Sequence, residues 1–181
     1  MAAVNNKIVI SANTSNFFRS HRLGLARFLR DRGYEVQIIL PFENYNQETQ
    51  IDGFPIHRVH LSRKGLNPLF DFRTIIDYYR LFLMIKPGVY HGFTIKPVIY
   101  GTIAAWLARV PKRVITVTGL GYVFTSDKKS SWFLQWLVLR MYQMCFMLCH
   151  HVVFQNSDDK SFYRPQSIKR SEIKDHTRYG C

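Results

Sequence analysis

Acidic side chains are scarce in this sequence: 12 Asp and Glu stand against 25 Lys and Arg, giving a formal charge of +13 over 181 residues. Such an excess draws polyanions, and nucleic acid, an anionic membrane face and a phosphorylated substrate all fit; charge alone does not choose among them. Cysteine is scarce too. Cys145, Cys149 and Cys181 build no disulfide framework, and a reducing, cytosolic setting is expected. Cys145 and Cys149 are spaced to share one helix face, but without a second ligand pair they read as packing residues rather than a zinc site, and no metal is expected. Long apolar runs are missing: Gln135, Arg140 and Gln143 interrupt the most apolar stretch, Trp132–Cys149, which excludes a clean bilayer-crossing helix. Residues 1–7 carry a single charge, Lys7, and only a short apolar run follows before Asn13, so no secretory leader is expected. The dinucleotide fingerprint is lacking as well. Gly119-Leu120-Gly121 has no third glycine, stands far from the N-terminus and leads into polar residues before any helix.

The composition that remains, 47% hydrophobic and 15% aromatic, belongs to a folded chain, and its length suits one domain with a sizeable core. The organising stretch is 112–127. A β-branched run short enough to be a buried strand, at 113–118, ends in a loop with two glycines, the usual site-building unit of an open α/β sheet. A simple turn is the plainer alternative.

In chain order, Lys7–Ser11 reads as a buried strand, followed by a polar turn over Asn13, Thr14, Ser15 and Asn16. A helix capped near Ser20 runs to Gly33, and Val36–Leu40 is a second strand, giving a β-α-β opening with a parallel pair. Residues 41–55 read as a loop, Ile56–Leu61 as a short alternating strand, and 62–68 as a basic loop ending in Pro68. Asp71 is expected to cap a helix that stops before Pro87; Val89–His91 is a minimal strand, and Pro97 opens a helix rich in small residues. Trp132–Cys149 is an aromatic-rich helix with one face in the core, while Trp132, Phe133, Trp136 and Arg140 also suit a membrane interface. His151–Gln155 is the last strand. From Arg164 onward no apolar periodicity remains, and disorder is expected there.

Five segments carry a family resemblance. Asn13-Thr14-Ser15-Asn16-Phe17-Phe18-Arg19-Ser20-His21-Arg22-Leu23 resembles the opening of glycosyltransferase family 4, in the branch that builds capsule, O-antigen and other lipid-linked bacterial glycans. Residues 61–68, His91-Gly92-Phe93-Thr94-Ile95-Lys96-Pro97, 116–124 and Val153-Phe154-Gln155-Asn156 with Asp158-Asp159 agree in the same order. The resemblance covers about residues 7–162 and implies a Rossmann-like three-layer α/β sandwich with a mainly parallel sheet, one half of a GT-B fold. That half, 1–163, receives the acceptor; 164–181 is a tail unlike the family. The family's second half, which supplies most of the nucleotide-sugar site and a pair of glutamates separated by seven residues, has no counterpart in these 181 residues. A truncated or frameshifted product, inactive by itself, is the expectation.

Glycosyl transfer needs an acceptor hydroxyl held near the anomeric carbon and charge stabilisation for the departing diphosphate. The resemblance puts Asn13, Thr14, Ser15 and Asn16 in the interdomain cleft, where backbone N–H groups could meet an anion; a plain turn is the alternative. Arg19, His21 and Arg22 suit phosphate contact or surface solubility, and Arg63 and Lys64 suit the acceptor's diphosphate. His91 ends a strand where such sheets form sites and could position or deprotonate a hydroxyl, or it is a buried histidine bonded to backbone. Thr94 joins this set; Lys96 could bind an anion or merely precede Pro97. Gly119, Gly121 and Tyr122 look like acceptor-shaping or phosphate-contacting groups.

The expected function is therefore sugar transfer from a UDP- or GDP-sugar, a co-substrate rather than a tightly bound cofactor, to a polyprenyl-diphosphate-linked sugar. The expected place is the cytoplasmic face of the plasma membrane, in peripheral contact with its anionic surface. The rival is a non-catalytic basic module for nucleic acid or anionic lipid. Its basic residues are spread rather than gathered, so no specific nucleic acid partner is expected.

Overall fold

β1 (Lys7–Ser11) is the strand from which the sheet grows in both directions, pairing in parallel with β2 (Glu35–Pro41) on one side and β5 (Val89–Phe93) on the other. The computed structural model describes residues 5–42, 48–62, 68–118 and 131–155. Beyond β5 lie β6 (Lys112–Val117) and β7 (His151–Phe154), both parallel. Beyond β2 lies β4 (Phe54–Val59), also parallel, and then β3 (Gln50–Ile51), antiparallel to β4. The spatial order is β3-β4-β2-β1-β5-β6-β7. This is the expected α/β, Rossmann-like arrangement with a mainly parallel sheet.

The hairpin β3–β4 falls inside the stretch read as a loop at 41–55. Asp52 and Gly53 both take positive φ, 53° and 80°, which is what a two-residue turn between twisted strands requires. The first helix also departs from expectation. Thr14 is extended, and its hydroxyl accepts the Phe17 N–H at 2.9 Å, so α1 spans Ser15–His21 and begins well before Ser20. Ser20 instead donates to the Asn16 carbonyl at 2.8 Å, inside the helix. The helix breaks at Arg22 (φ −125°, ψ −11°), and α2 (Leu23–Arg30) resumes at once. α3 (Pro68–Ile85) starts at the proline, which tolerates a first turn because its missing N–H would have no helical partner, and Asp71 lies within that turn rather than before it. A π-helical turn, Pro97–Gly101, leads into α4 (Thr102–Leu107), and α5 (Ser131–Leu148) precedes β7.

Alternation along the strands sends side chains into two layers. Ile8, Ile10, Val36, Ile38 and Leu40 meet Phe18 and Ala26 of α1 and α2. On the opposite face Val9, Ile39 and Tyr90 meet Tyr78 and Phe82 of α3. Further along that face, Ile115 and Val117 pack with Val138, Tyr142 and Cys145 of α5, so the inner side of the aromatic helix is core. Cys145 is a buried packing group, and burial pushes its thiol up to about 12. Under α3 the core is not purely hydrocarbon. The Ser11 hydroxyl donates to the Ile39 carbonyl at 3.1 Å, which leaves Tyr78 to donate to Ser11 Oγ at 2.6 Å. Tyr90 donates to the Pro97 carbonyl at 2.7 Å, and a Cβ at Gly101 would come within 1.8 Å of the Tyr90 hydroxyl.

Candidate active-site crevice between the first and fifth strands

Strand order reverses at β1: the chain goes to β2 on one side and returns to β5 on the other. In open parallel sheets, loops diverge at such a point and leave a crevice beyond the carboxyl ends of the strands. Here Ser11 is in register with Gly92, so the residues after each strand face one another across that crevice.

Arg22 is its most unusual member. The helix break swings its guanidinium over the Phe93 ring at 4.2 Å, with Phe17 at 5.4 Å. Its Nε and Nη2 are sealed from solvent with no hydrogen-bond partner among the described residues, and burial lowers its pKa. The two rings supply cation–π attraction but no acceptor atom. Phe93 in turn stacks on His91 with centroids 4.1 Å apart, and His91 Nε2 bonds the Thr116 hydroxyl at 2.8 Å. Burial first, and then the Arg22 charge, push the His91 imidazole down to about 3, so it is neutral at physiological pH. A base that weak takes a proton poorly near neutrality, and this geometry suits it to positioning and hydrogen bonding.

Thr94 directly follows β5 at φ 66°, an uncommon conformation for a β-branched residue, and its hydroxyl donates to the Phe93 carbonyl. Outliers of this kind cost on the order of 1–3 kcal/mol and cluster at working sites. Lys96 is drawn elsewhere: its Nζ pairs with Asp71 Oδ1 at 3.3 Å, both largely buried, which neutralises it within the fold. The loop after β1 divides. Asn13 is half-buried, Thr14 serves as the cap, and Ser15 is buried with Arg58 Nη1 3.5 Å from its hydroxyl. Asn16 is exposed, Arg19 pairs with Glu48, and exposed His21 stacks on Phe17 at 4.9 Å. Arg22 and His91 thus come together around Phe93, with Thr94 next in the chain, while Arg19 and Lys96 are engaged in ion pairs. Arg63, Lys64, Gly119, Gly121 and Tyr122, with the tail from Arg164, lie outside the described residues.

Sequence reading missed Phe93, Thr116 and Asp71. Strand parity alone would have flagged the first two, since Phe93 and Thr116 are in register and lie on the His91 face. Among the described residues no cluster of three or more His, Cys, Asp or Glu could hold a metal ion.

A model of the glycosyl transferase 4-like family matches residues 7–156. The N,N'-diacetylbacillosaminyl-diphospho-undecaprenol alpha-1,3-N-acetylgalactosaminyltransferase of Campylobacter jejuni is 24% identical over 152 residues, 84% of this chain and 40% of that one. The UDP-N-acetylglucosamine--N-acetylmuramyl-(pentapeptide) pyrophosphoryl-undecaprenol N-acetylglucosamine transferase of Coxiella burnetii is 28% identical over 114 residues, 59% of this chain and 32% of that one. The chain thus spans two fifths or less of these relatives. In fold it resembles the crystal structure of Acinetobacter baumannii MurG with a TM-score of 0.61 at 15% identity, covering 92% of this chain and 44% of the other.

Proposed function

The chain belongs to the glycosyl transferase 4-like family, a family of glycosyltransferases, and from that membership we propose that it forms the acceptor-side wall of a transfer site for lipid-linked sugars. Its substrate would be a polyprenyl-diphosphate-linked sugar, accepting a hexosyl or N-acetylhexosaminyl group from a nucleotide-sugar such as a UDP-sugar. Both relatives' names specify an undecaprenol-linked acceptor carrying a diphosphate or pyrophosphoryl group, which supports this class.

The observation that carries the reading is the Arg22 guanidinium, held in the switch crevice with two nitrogens that lack partners among the described residues. A buried cation without acceptors costs free energy, and a bound oxyanion would relieve that cost. A diphosphate fits the demand, since guanidinium groups pair with phosphate oxygens in geometrically specific bonds. His91, neutral and fixed by Thr116, would then orient a sugar hydroxyl, and Thr94 would present backbone at the rim. Asn13 and Asn16, with Arg63, Lys64, Gly119, Gly121 and Tyr122, complete the proposed acceptor set. The nucleotide-sugar would be held chiefly by a second Rossmann-like half, so this chain by itself is expected to bind acceptor without transferring sugar.

The test is a titration of the 181-residue chain with a water-soluble, short-chain polyprenyl diphosphate bearing one N-acetylhexosamine. Saturable binding that weakens about tenfold or more in Arg22→Gln is expected. Equal affinity for the same glycolipid lacking its diphosphate would overturn the reading.

A further inference from the structure

We propose that the carboxyl ends of β2 and β4 form a second, electrically neutral subsite that takes a further sugar ring of an oligosaccharide acceptor. Phe42 leaves β2 and His60 leaves β4 side by side, and the Phe42 N–H donates to the Val59 carbonyl at 3.1 Å. Their rings meet with centroids 4.8 Å apart, yet Phe42 stays 58% exposed, leaving most of an apolar ring in water.

His60 is a fixed neighbour for that ring, because α3 grips it at four points. Asp77 Oδ2 accepts the His60 backbone N–H at 3.0 Å and lies 2.8 Å from ring Nδ1. The Thr74 hydroxyl donates to the His60 carbonyl, and Arg73 Nη2 lies 3.1 Å from ring Nε2. A guanidinium nitrogen only donates, so Nε2 is the acceptor and the ring proton sits on Nδ1, facing the carboxylate. Both imidazole nitrogens are therefore used, and His60 serves as a wall. Around it, Asp77 Oδ1 takes no bond among the described residues, and exposed Arg73 has N–H groups to spare.

This cluster sets one cation, Arg73, against one anion, Asp77, beside an uncharged imidazole. A phosphate gains little from such a set, unlike at Arg22, which has no carboxylate bonded to it among the described residues. A pyranose suits it well. Its C–H face covers an aromatic ring, while its hydroxyls meet a donor and an acceptor at the ring's edge.

Position ties the subsite to the crevice. Both lie beyond the carboxyl edge of the sheet, and β4 stands two strands from β1, roughly 10 Å at ordinary strand spacing. Arg58 bridges the interval, its Nη1 2.9 Å from the Pro41 carbonyl and 3.5 Å from the Ser15 hydroxyl at the start of α1. One sugar ring beside a diphosphate at Arg22 does not span that interval, whereas a chain of two or three does. The inference deepens the acceptor reading and rests on it for the place of the diphosphate: the preferred acceptor carries an oligosaccharide.

The experiment titrates the 181-residue chain with two water-soluble, short-chain polyprenyl diphosphates, one bearing a single N-acetylhexosamine and the other three. The longer compound should bind about tenfold tighter. Phe42→Gln and Arg73→Gln should each remove most of that gain, and Phe42→Trp should keep it. Phe72→Gln, at an exposed ring next to Arg73 in the chain, should leave both affinities as in the parent. Phe42 is exposed, so thermal unfolding of Phe42→Gln should match the parent, which separates lost binding from lost folding.

Equal affinity for the two compounds, or a gain untouched by Phe42→Gln, would overturn the proposal. Free tri-N-acetylchitotriose should also shift the Phe42 ring resonances, and inorganic pyrophosphate should not compete for them. Competition would make this an anion site and remove the sugar assignment. The two readings fail separately: shifts at Phe42 without diphosphate-dependent acceptor binding would leave the subsite standing and remove the function proposed for the crevice. Diphosphate-dependent binding with no gain from the added sugars would do the reverse.

Discussion

The two helical layers of this protein are built on opposite plans. Beneath α1 and α2 the core is hydrocarbon away from the crevice, Ile10, Ile38 and Phe18 among its members, with Arg22, His91 and Thr116 gathered at its crevice end, and the outer surface carries ion pairs: Arg27 and Arg30 share Asp52, and Arg19 holds Glu48. Beneath α3 and α4 the core contains hydroxyl bonds among Ser11, Tyr78, Tyr90 and the Pro97 carbonyl, while the outer surface carries Phe72, Leu83 and Trp106. Specificity and solubility are thus placed differently in the two layers. A polar network inside fixes one arrangement, because each hydroxyl must find its partner or pay desolvation. A layer whose exterior is apolar gains definition from such a network, since hydrophobic patterning alone would not tell its two faces apart.

The sharpest way to break the contrast is at Gly101. A methyl group there would collide with the Tyr90 hydroxyl, so Gly101→Ala should destabilise by about 3 kcal/mol through overpacking and a disturbed buried hydrogen bond. Urea unfolding measures the loss. A Cβ would also meet Tyr90 Cζ at 2.5 Å, so the relieving change is Tyr90→Leu, in whose background Gly101→Ala should cost far less than it does in the parent. If instead the two losses simply add, the collision is not the cause.

The next effect is one of pH and belongs to the α1–α2 side of the sheet. His91 titrates near 6.5 when unfolded but near 3 when folded, because burial and the Arg22 charge disfavour its cation. Between those values the unfolded chain binds the extra proton, so stability should fall as pH drops below about 6.5, by up to about 1.4 kcal/mol per pH unit. His57, whose pKa burial also lowers, contributes with the same sign. Denaturant midpoints at pH 7 and pH 5 should differ, and His91→Gln should reduce the difference. A midpoint gap as large in His91→Gln as in the parent would place the proton elsewhere.

Arg22→Met tests whether the α1–α2 layer gives up stability for its site. Exchanging a guanidinium whose Nε and Nη2 are sealed and unpartnered among the described residues for a thioether should stabilise the chain by about 1 kcal/mol while abolishing diphosphate-dependent binding. It should also raise the His91 pKa by removing the nearby charge, which makes the acid sensitivity shallower.

The sequence made the sheet legible because strands buried on both faces read as β-branched runs: Lys7–Ser11 was bounded to the residue, and β2 and β6 to within one. Helix starts were harder. Thr14 and Ser20 are both good caps by type, and only the extended backbone at Thr14, set by the end of β1, decides between them. The β3–β4 hairpin did leave a signal, Asp52-Gly53 between Ile51 and Phe54, submerged in a polar surrounding. At the site, Arg22 and His91 could be picked out by residue type and position. The relation between them could not, because it depends on Phe93 and Thr116, which come alongside only through strand register and a helix break. Lys96 shows the converse: a cation placed near a site by sequence is claimed by Asp71, far away in the chain.

The smallest effect expected is at Asp52, and it bears on the outer surface of the α1–α2 layer. Its carboxylate receives two bonds from Arg27, at 2.8 and 3.0 Å, and hydrogen bonding to that guanidinium lowers its pKa. The geometry is good, but the groups stand in solvent, where screening and the entropy of holding long side chains cancel most of the attraction. Asp52 also sits at positive φ, a conformation asparagine adopts as readily as aspartate. Asp52→Asn therefore keeps the turn and removes only the charge, and its melting midpoint should stay close to that of the parent at physiological salt. A large drop would mean that the exterior ion pairs hold α2 onto the hairpin, and that this layer, like the other, depends on polar bonds for its definition.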